Sequence, residues 1–193
     1  MKQRVAIVGQ GNVGGALARG LARAGYNMRT VDNDPAAARD AADWGDIVIL
    51  AVPYSAIDAV VSQPGSAVDG KVVVDVTNAL TADYQPALGF TTSGAEELQK
   101  KAPAAKVVKA FNTVFARHMD TGRVKGQRLS LFMASDDPAA RAAVEALGRD
   151  LGFDPVDAGP LRNARWLESL GYLNIQLGYV LGMGPEIGFA LVH

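Results

Sequence analysis

Six short stretches of the chain are almost wholly apolar: RVAIVG (4–9), MRTVD (28–32), DIVILAVP (46–53), KVVVDVTN (71–78), KVVKAFN (106–112) and LSLFMAS (129–135). Several run on without polar alternation, the pattern of strands covered by helices on both faces. Between the first two, Ala16, Leu17, Leu21 and Ala24 mark one helical face that Gly25 ends. Further helices are predicted over Pro35–Ala42, Ser55–Val61, Gly94–Lys101 and Pro138–Leu151. This order predicts an α/β fold, a Rossmann-type doubly wound parallel sheet with right-handed crossovers. From about Met119 the pattern changes to a turn-rich connection, a strand, a helix, the strand FDPVDAG and a long amphipathic helix from roughly Leu161 to Leu181. Leu167, Leu170, Leu173, Leu177 and Leu181 fall at helical spacing, which reads as core packing. Residues 1–120 are expected to form a dinucleotide-binding domain and 121–193 a small C-terminal α/β extension ending in the long helix; its strands have the option of continuing the first sheet.

Composition removes several function classes. Of 193 residues, 49% are hydrophobic and 20% charged, an ordinary globular balance. A net charge of -1 and a pI near 6.1 provide no broad field for nucleic acid or an acidic membrane. With no cysteine, thiolate chemistry and cysteine-ligated metals are excluded; the two histidines, His118 and His193, make any metal site improbable. The N-terminal apolar run is too short for a signal peptide. Between Glu168 and Glu186 the apolar stretch is broken by Asn174, Gln176 and glycines and falls short of the about 20 residues a membrane span needs. A cytoplasmic protein with no membrane or nucleic-acid partner is expected.

The loop VAIVGQGNVGG places Gly9, Gly11 and Gly14 in the G-x-G-x-x-G order, after a strand and before a helix. The glycines permit the tight turn, the approach of a pyrophosphate and close helix–strand packing; Gln10, Asn12 and Val13 complete the loop. Asp32 follows at the spacing of a carboxylate that accepts the adenosine ribose hydroxyls, with Asn33 beside it. After Asp32 no arginine occurs until Arg39, so NAD is expected in preference to NADP. Asp34-Pro35 reads equally as a helix start. Ligands in such sheets lie beyond the carboxyl ends of the strands, which puts Ala51, Val52 and Pro53, then Thr77 and Asn78, then Asn112 and Thr113 along the nicotinamide side. Each polar residue taken singly also suits a turn.

Taken with that loop, the stretches VVKAFNTV (107–114), DAGPLRNARWLESL (157–170) and GMGPEIGFAL (182–191) resemble the NAD(P)-dependent coenzyme F420 (deazaflavin) reductases and the oxidoreductase domain of the STEAP ferric reductases. The resemblance spans nearly the whole chain. It implies hydride transfer between a nicotinamide and a deazaflavin or flavin held between the sheet and the C-terminal segment. It also implies that Asn112, Thr113 and Val114 position the nicotinamide, that Leu161 and Asn163 border the second ring, and that Gly182, Gly184 and Pro185 form its floor. A homodimer is a further expectation. In two places this sequence departs from the deazaflavin reductases: they carry a histidine where it has Asn112, and the NADP-specific ones a Ser-Arg type pair where it has Asp32-Asn33.

No side chain is expected to be catalytic in the acid–base sense. Transfer between two redox rings needs alignment at roughly 3–3.5 Å and exclusion of water. Two other readings remain open: a small dehydrogenase of an unidentified carbonyl or imine, favoured if Lys109 points into the cleft as proton donor, and a non-enzymatic dinucleotide sensor.

Overall fold

The computed structural model describes residues 2–32, 34–61 and 67–192. Five parallel strands, β1 (Val5–Val8), β2 (Met28–Val31), β3 (Ile47–Leu50), β4 (Val72–Asp75) and β5 (Lys106–Lys109), form one sheet in the order β2-β1-β3-β4-β5. The register aligns Val5 with Met28 and Ile47, and carries Val8, Leu50, Asp75 and Lys109 to a common upper edge. β1, β3 and β4 are buried throughout, as their unbroken apolar runs require, whereas the edge strand β2 is exposed at Arg29 and Thr30.

Alternate side chains feed two cores. Val5 and Ile7 pack with Ala16, Leu17 and Leu21 of α1 (Asn12–Arg23). Ala6 and Val8 pack with α2 (Pro35–Trp44), α3 (Ile57–Val61) and α4 (Gly94–Lys101). Each fully buried Leu or Ile contributes roughly 1.5–3 kcal/mol. Local chemistry fixes the helix starts: Asp34 and Ser93 accept from the N–H groups of Ala37 and Glu96, with Pro35 in the first turn of α2.

After β5 the chain makes a hairpin, β6 (Arg123–Val124) and β7 (Gln127–Arg128), whose turn residues Lys125 and Gly126 both have positive φ. β8 (Ser130–Met133) and β9 (Asp154–Asp157) then pair parallel to each other, with α5 (Pro138–Asp150) between them in sequence. Lys109 and Ala134 exchange N–H···O bonds of 2.9 and 3.0 Å in an antiparallel bridge, so β8 runs against β5. Leu131, Met133, Val144, Leu147 and Phe153 enter the same core as Val5, and Phe153 meets Phe111 edge-on at 5.7 Å.

The expected long final helix is composite: a 3-10 turn at Leu161–Asn163, α6 (Ala164–Ile175) and a π-helical turn at Gln176–Val180. Of its leucine stripe only Leu167 lies on the core face. Leu173 and Leu181 are exposed, Leu170 and Leu177 half-buried, and the buried side is Ala164, Leu167, Gly171, Asn174 and Gly178. Small side chains win that face because α6 approaches the turns after β4 and β5 too closely for leucine.

Candidate active site

At the top of β1 the chain turns at Gly9 (φ 106°), where a Cβ would lie 2.2 Å from the Ala51 carbonyl oxygen; at Gly14 it would lie 1.9 Å from that of Gly9. These two glycines hold the loop against β3. Gly11 differs, for a Cβ there would meet nothing within 4 Å. It caps α1 without a side-chain hydrogen bond, and the first turn carries no acid. Uncapped N–H groups facing open space form a cradle for phosphate, so these residues fit a dinucleotide. Gln10 and Asn12 are exposed beside it, Gln10 donating to the Thr30 carbonyl at 3.3 Å, while Val13 packs against the core. Asp32 is exposed at the end of β2; Asn33 lies outside the described residues. Ala51 is half-buried, Val52 buried and Pro53 exposed above β3.

The ends of β4 and β5 are locked to α6. Asn78 Nδ2 donates to the Asn112 carbonyl (3.0 Å), and Asn112 Nδ2 donates to Asn78 Oδ1 (2.9 Å) and to the Leu167 carbonyl (2.8 Å). Asn174 Nδ2 donates to the Thr113 carbonyl at 3.2 Å. Between them lies Gly171, where a Cβ would approach Asn78 Oδ1 to 2.6 Å and the Asn112 carbonyl oxygen to 2.8 Å. Phe111, just before Asn112, has φ 65°, a conformation that costs a bulky residue on the order of 1–3 kcal/mol. Among the described residues, Thr77 Oγ1, Asn112 Oδ1 and Asn174 Oδ1 are the buried side-chain atoms without a hydrogen-bond partner. All three belong to this junction.

Lys109 does not point into the cleft. It is fully buried, with Nζ 3.0 Å from Asp75 Oδ2, 2.7 Å from Glu168 Oε1 and 2.6 Å from the Thr77 carbonyl. Glu168 also accepts from the N–H of Gly94, tying α6 to the start of α4. Burial pulls the lysine pKa down, but the two carboxylates outweigh it and hold the pKa above the ordinary value. A lysine so clamped remains a cation and is no proton donor to a substrate.

Leu161 and Asn163 lie at the opposite end of the sheet. Because β8 runs antiparallel to β5, Ser135 sits level with Val107, and Asp137 pairs with Lys106 at 3.5 Å. Leu161 donates its N–H to Asp136 and is buried in the core shared with α2–α4. Asn163 Nδ2 donates to the Ala158 carbonyl. The structure therefore does not bring this pair to the glycine loop. What faces the loop is the far end of α6. A cavity of about 370 Å³ is lined by Asn12, Arg19, Phe115, Ala116, Arg117, Tyr179 and Pro185, with the Phe115 and Tyr179 rings 5.0 Å apart. Thr113 and Val114 are buried beneath it, Val114 in the core.

Residues 4–79 match the family model described as NADP oxidoreductase coenzyme F420-dependent. Over those residues, fewer than half of its length, the chain is similar to this family, and together with the relatives below this indicates a nicotinamide-dependent oxidoreductase. It is 28% identical to the F420-dependent NADP reductase of Methanocaldococcus jannaschii over 144 residues, 72% of this chain and 65% of that protein. It is 30% identical to the metalloreductase STEAP3 of Rattus norvegicus over 183 residues, 86% of this chain but 36% of the rat protein. The chain thus spans little more than a third of that metalloreductase's length. The crystal structure of a proposed F420-dependent NADP-reductase from Arthrobacter sp. FB24 superposes with a TM-score of 0.89, at 29% identity over 99% of this chain and 100% of that one.

The sequence conceals several residues by which the final helix meets the turns after β4 and β5 and the cavity. Gly171, Asn174, Gly178 and Tyr179 lie on a stripe that its leucines overshadow. The signal available is the alternating spacing of small and polar residues Ala164, Gly171, Asn174 and Gly178 along one helical face. Phe115, Arg19 and Arg117 come together only through the tertiary fold. Among the described residues no cluster of metal-ligating side chains occurs, and no helix is long and apolar enough to cross a membrane.

Proposed function

We propose that the chain transfers hydride between a nicotinamide dinucleotide and a deazaflavin or flavin, across the cleft between the glycine loop and the C-terminal segment 121–193. The carrying observation is the cavity that runs from Asn12 at the start of α1 to Tyr179 and Pro185: it joins a phosphate cradle to an aromatic wall and has no carboxylate, imidazole or amine in its lining. Bound there, the two coenzymes supply all the redox chemistry as a ring-to-ring hydride transfer. The protein's part is alignment. The α1 amides and Gly11 receive the pyrophosphate, and Asp32 the adenosine ribose. Asn112, held by Asn78 and the Leu167 carbonyl, fixes the turn after β5 that backs the nicotinamide. Phe115 and Tyr179 keep water from the reacting faces. The clamped state of Lys109 argues against a carbonyl dehydrogenase.

The preferred dinucleotide is NAD. Relatives are named for NADP, but a 2′-phosphate here meets Asp32, while Arg29, earlier on β2, stacks on Trp44. Both substrates being diffusible coenzymes, we place the reaction in the cytoplasm. The outward apolar side chains Trp166, Leu173 and Val180 support a homodimer, which sedimentation velocity tests. Anaerobic titration of NADH-loaded protein with deazaflavin, FMN and FAD tests the reaction itself. Bleaching of one chromophore, with matching loss of NADH, is expected; NADH left untouched by all three refutes the proposal.

A further inference from the structure

Lys109 ends β5 directly after Val107 and Val108, and all three are buried. A buried ion cluster is often worth no more to stability than apolar side chains of similar volume, so this cation calls for a reason other than stability. What it holds is Thr77. The Thr77 carbonyl accepts from Lys109 Nζ at 2.6 Å, and the Thr77 N–H donates at 2.9 Å to Asp75 Oδ1. The other oxygen of Asp75 is 3.0 Å from the same Nζ. Both main-chain polar groups of Thr77 are thus fixed by one fully buried pair.

From Thr77 the hydrogen bonds close into a circuit. Asn78, the next residue, exchanges two with Asn112; Asn112 donates to the Leu167 carbonyl; and Glu168, next along α6, returns to Lys109 at 2.7 Å. Segments 75–78, 109–112 and 167–168, far apart in sequence, are joined in this way. Inside the circuit Phe111 keeps its φ of 65°, a conformation that persists only where the surroundings over-determine it. Strain of this kind collects at sites that need a preset geometry. The turns so fixed, after β4 and after β5, are those that back the nicotinamide in the proposed reaction. The glycine loop, which takes the pyrophosphate, rests instead on Ala51 above β3. We propose that Lys109 is a positioning residue for hydride transfer: through Thr77 it sets the wall behind the nicotinamide and leaves the adenosine end to the glycine loop and Asp32. This rests on the proposed reaction and adds the residue that aligns one of its two rings. Transfer at roughly 3–3.5 Å has little tolerance, and a displacement of about 1 Å costs on the order of 100-fold in rate.

The test separates the two ends of the dinucleotide. Lys109→Met alone strands two carboxylates, so the variant used is Lys109→Met/Asp75→Asn/Glu168→Gln. It removes all three charges together and keeps an oxygen for the N–H of Thr77 and for that of Gly94. What it loses is the donor to the Thr77 carbonyl. Calorimetry compares NADH with ADP-ribose, which lacks the nicotinamide, and the fluorescence anisotropy of bound NADH reads how firmly the nicotinamide is held. ADP-ribose affinity is expected within about twofold of native, with NADH affinity about fivefold lower and the anisotropy reduced. At saturating NADH, transfer to whichever of deazaflavin, FMN and FAD the native protein reduces falls at least about tenfold. Gly171→Ala presses on the circuit from its other side, at Asn78 and Asn112, and gives the same selective loss, which keeps the question decidable should the triple variant not fold. Equal losses for NADH and ADP-ribose, or none for either, mean that the clamp only stabilises the fold; that overturns the positioning role and leaves hydride transfer standing. A native protein that reduces none of the three chromophores overturns hydride transfer and the positioning role with it.

Discussion

Gly171→Ala sets two calculable effects against each other. Alanine in a helix interior is favoured over glycine by about 1 kcal/mol, a gain any exposed site in α6 would realise. At Gly171 the added methyl lies 2.6 Å from Asn78 Oδ1, 2.8 Å from the Asn112 carbonyl oxygen and 2.9 Å from Asn112 Nδ2, well inside ordinary contact. Moving α6 out by most of an ångström relieves the clash but strains the bond from Asn112 Nδ2 to the Leu167 carbonyl. Overpacking of this kind costs about 1–3 kcal/mol, and a buried polar group left unsatisfied costs about 1–3 kcal/mol more. At the middle of these ranges the net is a loss of about 3 kcal/mol, or roughly 6–12 °C in Tm for a chain of this size. Gly15→Ala is the matched control: within α1 its methyl meets only Arg19 Nη1 at 3.6 Å and the Gln10 carbonyl oxygen at 3.9 Å. It should stabilise by about 0.5–1 kcal/mol. Urea unfolding, read by circular dichroism with the slope checked for two-state behaviour, gives both values. Opposite signs are expected; stabilisation of both variants would show that α6 does not rest on the Asn78–Asn112 pair.

Removing the buried cation by Lys109→Met strands Asp75 and Glu168 and should cost about 3–5 kcal/mol, measured by the same unfolding assay. Because the folded pKa of Lys109 is raised, its contribution is complete below the unfolded value of about 10.5 and is lost as pH climbs from there through the folded value; the native protein should weaken in that alkaline range more steeply than Lys109→Met. Gly11→Val should abolish NADH binding, read by calorimetry, while costing no more than about 1 kcal/mol of stability, since the protein itself leaves that space empty; unchanged NADH affinity would remove the pyrophosphate from this loop. Exchanging Asp32 for Ser and Asn33 for Arg should move the ratio of NADPH to NADH affinity at least tenfold toward NADPH, about 1.4 kcal/mol, and a native protein that already favours NADPH would refute the charge argument.

The sheet was legible because β1, β3 and β4 are apolar on both faces, a pattern that survives any detail of packing. The glycine loop was legible for a different reason: Gly9 and Gly14 are demanded by contacts only one strand away. The second wall was not. Nothing local to residues 129–160 encodes that β8 turns back along β5, yet that reversal sends Leu161 and Asn163 to the wrong end of the molecule. Nor does hydrophobicity announce that α6 buries Gly171 and Asn174 while leaving Leu173 in solvent. The choice is made by the distance of closest approach, which depends on Asn78 and Asn112 far away in sequence.

The reversal of β8 and β9 also decides which end of α6 arrives at the cleft. Entering at the level of Lys106, the helix climbs the sheet edge past Lys109 and Asn112 and delivers its carbonyl end, through the π-helical turn, to the cavity wall at Tyr179. Opposite stands the amide end of α1 at Asn12. The two backbone dipoles therefore point the same way across the gap, positive on the phosphate side and negative on the aromatic side, each terminus carrying about half an elementary charge. A nicotinamide bound as proposed would carry a positive charge only when oxidised, and held nearer the carbonyl end it would gain a few tenths of a kcal/mol in that form, a bias toward hydride donation.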